Sequence, residues 1–224
     1  MVRYEGVSAS LAAHLPLSRS VLRLAGPLLA AVAAATLTLA AANAYAVTPG
    51  SRPGPWCGGR LWRLMTLSDR DRNRVRLKAV PTTVSAIAAL HPPTSIVAAR
   101  TTPFQRQVWR LQTVLDRYRI ASNGEIVLIL YSIASGQYMN AYLPNPHCLP
   151  RSARDRTGLI AARRSFHDSK CPTVTPQWQL IGVTVDIAGV GFWNPNRTTR
   201  GALANGAELR PVTNFRIIVG CGIQ

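Results

Sequence analysis

Alternating apolar and polar residues predict that the second half of the chain is built mainly of β-strands. The clearest case is residues 179–192, where four apolar residues occupy every second position and two glycines then mark a bulge or a tight bend. Residues 125–132 and 137–143 are rich in β-branched and aromatic residues, and an Asn-Gly or a Ser-Gly turn precedes each of them. We expect these two segments to pair as a hairpin, and we expect residues 209–219 to form the last strand.

Residues 104–120 fit two different patterns. Five large apolar residues recur at steps of four, three, four and three, which is the spacing of one helix face. A Thr-Pro pair just before the segment would suit the start of a helix. The same residues could instead form a strand in which Trp109, Leu111 and Leu115 share one face. Periodicity alone favours the helix.

Three further segments complete the predicted elements. In residues 68–78, apolar residues alternate with arginines, as in a half-buried strand. Residues 84–90 read VSAIAAL and follow Thr82 and Thr83, either of which could cap one or two helical turns. Residues 156–168 carry a basic, amphipathic pattern that predicts a helix.

The N-terminal segment has the composition of an export signal. Residues 24–47 contain no charged residue, three arginines precede them, and small residues close the run. The sequence Ala44-Tyr45-Ala46 predicts cleavage after its last residue. A run of this length could also span a bilayer, so an uncleaved membrane anchor is the alternative. We therefore expect an exported protein, periplasmic or extracellular, that contacts a membrane only if this leader is retained.

The four cysteines predict disulfides. All of them follow the predicted leader, and none forms a C-x-x-C pair. In an exported chain this pattern is typical of two structural disulfides, and the spacing does not match a zinc site. Three pairings are possible, and we prefer Cys57–Cys148 with Cys171–Cys221.

Basic residues greatly outnumber acidic ones. The chain has 26 Lys+Arg and 9 Asp+Glu, a net charge of +17, and Lys78 and Lys170 are its only lysines. Such a charge attracts polyanions, for example nucleic acid, anionic lipid or acidic envelope polymers. Because arginine also replaces lysine in proteins from GC-rich genomes, codon usage is an alternative source of the excess. With 47% hydrophobic residues, the composition is that of a folded chain and not of a disordered one.

Short motifs in the second half of the chain resemble a group of small secreted bacterial proteins of unknown function. The group's D-x-D-x-H-L-V-L turn and strand corresponds to residues 123–130, and its E-x-P-x-P-x-C corresponds to the segment that ends at Cys148. Its G-V-G-F-F-D motif corresponds to residues 189–194, and its N-G-x-E-L-H-P-V motif corresponds to residues 205–212. The resemblance covers roughly the last 120 residues.

This resemblance implies that residues 104–120 form a strand, and we follow it over the helical period. The fold expected is then mainly β with one or two short helices, arranged as a small five-stranded OB-like barrel. The chain would divide into a signal segment (residues 1–46), an N-terminal extension with Cys57 and a short helix (residues 47–103), and the barrel (residues 104–224).

No reaction follows from the resemblance or from known catalytic motifs. Three motif histidines of the group correspond here to Val127, Arg197 and Arg210, so any chemistry that they perform is not carried over. The chain has no phosphate-binding P-loop, serine-nucleophile elbow or zinc-protease motif, and its histidines lack partners at ligand spacing. We expect neither a metal nor another cofactor.

Three acidic residues are candidates for acid–base chemistry: Glu125, Asp186 and Glu208. They would serve a secreted hydrolase, for example a nuclease-like phosphodiesterase. Each also has a simpler structural explanation, as a turn residue, a solvent-facing residue or the partner of an arginine.

A binding surface is the functional hypothesis that we rank first. Residues 193–200, in the loop expected between the last two strands, combine an aromatic residue with two arginines that could stack on a base and neutralise phosphate. The candidate binding residues are Trp193, Arg197, Arg200, Arg210, Trp109 and Arg110. We therefore expect a non-enzymatic exported module that binds an anionic polymer. The alternatives are the secreted hydrolase and a disulfide-stabilised structural envelope protein.

Overall fold

The computed structural model describes residues 57–169 and 174–221, and a six-stranded sheet dominates them. Its strands are β1 (Arg76–Pro81), β2 (Gln107–Ile120), β3 (Ile126–Ser132), β4 (Gln137–Leu143), β5 (Gln179–Trp193) and β6 (Ala207–Val219). The helices in this part of the chain are α1 (Trp62–Met65), α2 (Val84–Ala88) and α3 (Arg156–His167), with single 3₁₀ turns at Arg72–Arg74, Phe104–Arg106 and Pro146–Cys148. The prediction of a mainly β fold with short helices is confirmed.

Most of the segment that fitted two patterns, residues 104–120, forms strand β2. This strand is antiparallel to β5 along most of its length and to β3 along its second half. A bulge between Leu115 and Arg117 shifts the register, so that Leu111, Leu115 and Tyr118 all face the main core. The helix that periodicity alone favours is therefore wrong. The bulge puts Leu115 and Tyr118, three residues apart, on the same face of the strand, and this step of three resembles helical spacing.

The strands are ordered β1-β2-β3-β4-β6-β5, and β5 also pairs with β2. The pairs β1–β2 and β4–β6 are parallel, and the others are antiparallel. The seam between β4 and β6 is a single pair, Ala141 with Leu209, so the sheet curls around the core but is not a closed barrel. The predicted five-stranded barrel is therefore corrected: β1 adds a sixth strand, and the β4–β6 seam leaves the curled sheet partly open.

The inner face of the curled sheet forms the main core, and helix α3 packs against β6 beside it. On β3, on β4 and in the first half of β5, every second residue belongs to this core. On α3, Phe166 is buried and makes edge-on contacts with Tyr118 and Phe215, at ring-centroid distances of 5.1 and 5.4 Å. The helix predicted over residues 156–168 is thus confirmed, with its apolar face on the core.

A buried ion pair organises the N-terminal extension. The Arg100 guanidinium donates from Nη2 to Asp69 Oδ2 at 2.8 Å, and it also donates to the main-chain carbonyls of Leu64 and Gln105. The strand predicted over residues 68–78 begins only at Arg76, because the residues before it form a 3₁₀ turn that contributes to this polar network. Helix α2 begins as predicted, since Thr83 Oγ1 accepts a hydrogen bond from the Ala86 amide.

The predicted disulfide Cys57–Cys148 is present and ties the start of the extension to the 3₁₀ turn after β4. No cysteine among the described residues is a free thiol. Because Cys171 lies outside the described residues, its pairing with Cys221 stays a prediction. The predicted leader lies outside them as well, and within residues 57–169 and 174–221 no helix is long and apolar enough to cross a bilayer.

Candidate functional site

A cleft of about 410 Å³ opens on the outer face of β3 and β4, and we call it the main cleft. The loop between β2 and β3 (residues 121–125) contributes to one side, and the loop between β5 and β6 (residues 194–206) contributes to another. Three kinds of side chain line it: the arginines Arg119, Arg200 and Arg210, the aromatic residues Tyr142 and Trp178, and the polar or acidic residues Asn123, Glu125, Asn140 and Thr199.

The sheet register brings these side chains together. Arg119 pairs with Val127, which pairs in turn with Tyr142, so the three residues form one row across β2, β3 and β4. Because the residues on either side of Val127 face the core, this row faces outwards. Asn140 lies two residues from Tyr142 and therefore shares its face.

Arg210 lies between two buried carboxylates at the base of the main cleft. Its Nε donates to Glu125 Oε1 at 3.2 Å, its Nη2 donates to Glu125 Oε2, and its Nη1 lies 3.6 Å from Glu208 Oε1. The guanidinium carbon lies 4.1 Å from the ring centroid of Tyr142, within the range of a cation–π contact. All four side chains are buried, so this group is a rigid part of the site.

The two loops hold the two carboxylates in place. Asn123 in the first loop donates from Nδ2 to Glu125 Oε2 at 2.6 Å, and its Oδ1 accepts from the Glu125 amide. Asn194 in the second loop donates from Nδ2 to Glu208 Oε2 at 3.0 Å. A change in the conformation of either loop would therefore move the carboxylate that it holds beside Arg210.

Burial raises the pKa of Glu208 to about 7, although the positive charge of Arg210 opposes this shift. Burial also raises the pKa of Tyr142, which keeps its phenol protonated. Near neutral pH, Glu208 therefore exchanges a proton while Arg210 stays charged. The net charge at the base of the cleft becomes more positive as the pH falls through this range.

A second, smaller cleft of about 200 Å³ adjoins the first, and Arg200 lines both. Its other lining residues are Asp116, Arg117, Ile129, Tyr138 and Gly201. We call the two clefts together the groove. Since Tyr138, Asn140 and Tyr142 alternate along β4, the groove follows the outer face of that strand.

The loop over residues 194–206 approaches the sheet closely at Gly201. This glycine has a φ of +78°, and a Cβ atom there would lie 2.6 Å from Asn140 Oδ1 and 2.8 Å from Ile129 Cγ2. A side chain would therefore push the loop off the sheet. The absence of one at Gly201 lets the neighbouring Arg200 line the groove.

The structure brings together four of the predicted site residues at the groove and separates the others. Glu125 and Arg210 line the main cleft, Glu208 forms an ion pair with Arg210 beneath it, and Arg200 lines both clefts. Arg197 does not line the groove, since its Nη1 donates to the Ala204 carbonyl within its own loop.

The prediction that Trp193 offers an exposed stacking surface is wrong. This side chain is 1% exposed, its Nε1 donates to Thr102 Oγ1 at 3.0 Å, and its ring packs against Phe104. Trp109 likewise donates from Nε1, to the Phe104 carbonyl, and it lines no part of the groove. Both tryptophans fasten the segment before β2 to the sheet.

Asp186 and Arg110 form a separate ion pair on β5 and β2. Arg110 donates to both carboxylate oxygens, with Nε to Oδ1 at 2.7 Å, and Arg216 lies 3.3 Å from Oδ2. The hydrogen bond from Arg110 lowers the pKa of Asp186, although burial opposes this shift. Asp186 is therefore a paired carboxylate and does not share a site with Glu125 and Glu208.

Arg119, Trp178 and Asn140 are site residues that the sequence analysis missed. Strand register could have identified Arg119 and Asn140. Arg119 alternates with Arg117 near the end of β2, and Asn140 interrupts an aromatic alternation on β4. Trp178 precedes β5 and carries no pattern of its own. Its place in the cleft depends on the pairing of β5 with β2.

In the described part of the chain, no three His, Cys, Asp or Glu side chains lie close enough together to hold a metal ion. The expectation that the protein needs no metal or other cofactor stays a prediction. Compared with known proteins, the chain matches no protein-family model and no curated protein.

Proposed function

We propose that this protein is an exported, non-enzymatic binding module that holds an anionic polymer in the groove. The observation that carries the proposal is the placement of Arg119 and Arg200 along one groove beside aromatic residues. A positively charged groove with aromatic walls suits a chain of anionic groups. The Cys57–Cys148 disulfide is compatible with an oxidising compartment outside the cytoplasm.

The proposal includes an OB-like arrangement of residues 104–224. Strands β2, β3, β4, β6 and β5 pair in that order, β5 returns to β2, and α3 lies between β4 and β5 in the chain. OB folds are partly open five-stranded barrels that bind oligonucleotides or oligosaccharides on the face of their second and third strands, between two loops. Here β3 and β4 hold the corresponding positions, and the groove lies on their outer face. Membership in the group of small secreted proteins is part of the same proposal.

The test is binding of single-stranded DNA and of an unrelated polyanion by the oxidised protein, across a salt series. We expect Arg119→Ala combined with Arg200→Ala to weaken binding and to reduce the slope of log affinity against log salt. The expected reduction is about 0.7 for each lost phosphate contact on a single strand.

The matched control is Arg151→Ala combined with Arg156→Ala, which removes the same charge from exposed positions outside the groove. We expect a small effect, because charges that do not contact the polymer act only through the screened long-range field. Equal weakening by the two double variants would show that the polymer has no defined site, and the proposal would fail.

A hydrolase is the second candidate function, and the raised pKa of Glu208 beside the Glu125–Arg210 pair favours it. A carboxyl group that titrates near neutrality can act as a general acid or base. If the protein is a phosphodiesterase, labelled oligonucleotides should be cleaved, and Glu208→Gln should abolish cleavage while Asp186→Asn should not. If the protein neither cleaves oligonucleotides nor binds polyanions, the structural envelope protein is the remaining hypothesis.

A further inference from the structure

Aromatic side chains stand at both ends of the groove. At one end, Trp178 lines the main cleft, with the Arg119 guanidinium carbon 4.9 Å from its ring centroid. At the other end, Tyr138 lines the smaller cleft and is 41% exposed. Its ring lies 4.8 Å from that of Tyr131, its partner across β3 and β4. An exposed tyrosine held by a neighbouring ring is a ready surface for stacking.

The register gives the spacing of these two aromatic sites. Tyr138 lies four residues from Tyr142 on β4, which corresponds to about 13 Å along the strand. Arg119 belongs to the Tyr142 row, and the pairing of Gln179 with Tyr118 places Trp178 next to it. Arg200 lines both clefts and so lies between the two sites. Aromatic and basic groups therefore alternate along the groove.

We propose that the anionic polymer is a single-stranded nucleic acid, whose bases stack on Tyr138 and against the Arg119–Trp178 pair while Arg200 neutralises the phosphates between them. This inference rests on the proposed function and names the class of its ligand. The observation that supports it is that two aromatic surfaces, Tyr138 and Trp178, lie in the same groove as Arg119 and Arg200.

The alternatives fit the groove less well. A duplex keeps its bases stacked on one another, so their faces are not available to Tyr138 or to Trp178. An acidic polysaccharide or a polyphosphate would satisfy the arginines but offers no π-face to stack on Tyr138 or Trp178. Base stacking on an aromatic side chain strengthens binding in a manner that salt does not screen, in contrast to phosphate contacts.

The experiment compares probes that carry equal charge. The oxidised full-length protein is titrated with a single-stranded DNA of about 12 nucleotides, within the range of about 4–16 that one OB fold covers. Parallel titrations use an abasic strand with the same number of phosphates, the matching duplex, and the RNA strand of the same sequence. We expect the single strands to bind about a hundredfold more tightly than the abasic strand, because the abasic strand loses base stacking at two sites and each contributes about tenfold. The comparison of RNA with DNA shows which sugar the groove prefers.

Substitutions at Tyr138 locate the effect. Tyr138→Ala should weaken binding of the base-bearing strand about tenfold and leave binding of the abasic strand unchanged, whereas Tyr138→Phe should retain wild-type binding of both strands. Val219→Ala, which trims another exposed apolar side chain outside the groove, is the control. Tyr138→Phe keeps the ring contact with Tyr131, so its thermal unfolding should match that of the wild type. Loss of this cross-strand pair in Tyr138→Ala should lower the unfolding temperature by only about a few degrees.

Equal affinity for abasic and base-bearing strands would overturn the inference, and so would a preference for the duplex. In either case an effect of Arg119 and Arg200 on binding would leave the proposed function standing. If no probe binds in a manner that depends on those arginines, the inference and the proposed function both fail.

Discussion

At the scale of single residues, the arrangement of Glu125, Arg210 and Glu208 shows how one guanidinium permits two buried carboxyl groups. Arg210 has a fork of donors that meets Glu125 with two hydrogen bonds, and its remaining nitrogen approaches Glu208. Each carboxylate also accepts a hydrogen bond from a loop asparagine, Glu125 from Asn123 and Glu208 from Asn194. Removing the arginine would leave these acids buried without their counter-ion.

We therefore predict that Arg210→Met lowers the free energy of unfolding by about 3–5 kcal/mol, the usual loss when one partner of a buried ion pair is removed. Urea unfolding measures this directly. Arg216→Met is the comparison, because Arg216 also pairs with an acid but is exposed at the surface. We expect Arg216→Met to cost less than about 1 kcal/mol. Similar losses in the two variants would contradict a structural role for Arg210.

The raised pKa of Glu208 predicts a dependence of stability on pH. In the folded protein this carboxyl holds its proton up to a pKa of about 7, whereas in the unfolded chain it regains its ordinary value near about 4.3. Between these values the folded state binds more protons, so this group's contribution is greatest below the lower value and is lost as the pH rises through the upper one. The lowered pKa of Asp186 acts in the opposite sense and only in more acidic solution.

The measurement is urea unfolding of the wild type and of Glu208→Gln at about pH 5 and about pH 8, which bracket most of this window. We expect the wild type to lose stability relative to the variant as the pH rises, on the order of a few kcal/mol. A constant difference between the two proteins at both pH values would show that Glu208 titrates normally.

At the scale of elements, the loop over residues 194–206 depends on one close contact with the sheet. Gly201 has a left-handed backbone conformation and lies against Asn140 and Ile129. Any side chain there combines backbone strain with a collision. The loop carries Arg200 into the groove, so its position matters for binding as well as for stability.

We predict that Gly201→Ala lowers the free energy of unfolding by more than the matched variant Gly136→Ala. Gly136 also has a positive φ, of +66°, but a Cβ atom added there would have no other atom within 4 Å. A side chain in the left-handed backbone conformation costs about 1–2 kcal/mol in both variants. Any further loss of stability in Gly201→Ala measures the collision of the new methyl group with Asn140 and Ile129. We also expect Gly201→Ala alone to weaken polyanion binding. Equal losses of stability in both variants would mean that the loop is not held by this contact.

Strands β4 and β5 could be predicted from sequence because apolar and polar residues alternate along them, and β3 because a run of strand-forming residues follows an Asn-Gly turn. Strand β2 could not be assigned from periodicity, since its bulge breaks that alternation. In the site, Glu125 and Arg210 are 85 positions apart, and no local pattern connects them. Trp193 was expected on the surface because polar residues follow it, yet its strand ends with that ring still in the core. Local patterns therefore identified elements, whereas the site required knowledge of their pairing.

At the scale of the whole molecule, the N-terminal extension and the curled sheet form one folded unit. The extension contributes β1 to the sheet, its Leu61 and Leu64 pack with Phe192 of β5, and the Cys57–Cys148 disulfide spans a sequence separation of 91 residues. These contacts connect the described residues from Cys57 to Pro81 with the sheet and with the turn after β4. The extension is thus part of the fold and not an appended tail.

We predict that Cys57→Ser combined with Cys148→Ser lowers the free energy of unfolding by about 4 kcal/mol, because the cross-link restricts the unfolded chain over a long loop. Chemical denaturation of the double variant against the oxidised wild type tests this, and leaves the other cysteines unchanged. Retention of wild-type stability would mean that packing of the extension, and not the cross-link, holds it in place.

The order of strands in the sheet has a consequence for how the protein comes to be folded. Strand β2, near the beginning of the sheet, bonds to β5, and β4 meets β6, whereas the hairpin of β3 and β4 joins neighbours in the chain. Contacts between such distant segments form slowly, and they require both partners to be available. A chain made from its N-terminus therefore cannot complete this core until the residues of β6 have been synthesised. We expect the shorter chain to stay loosely structured, a condition in which a polypeptide can still be threaded through a narrow channel.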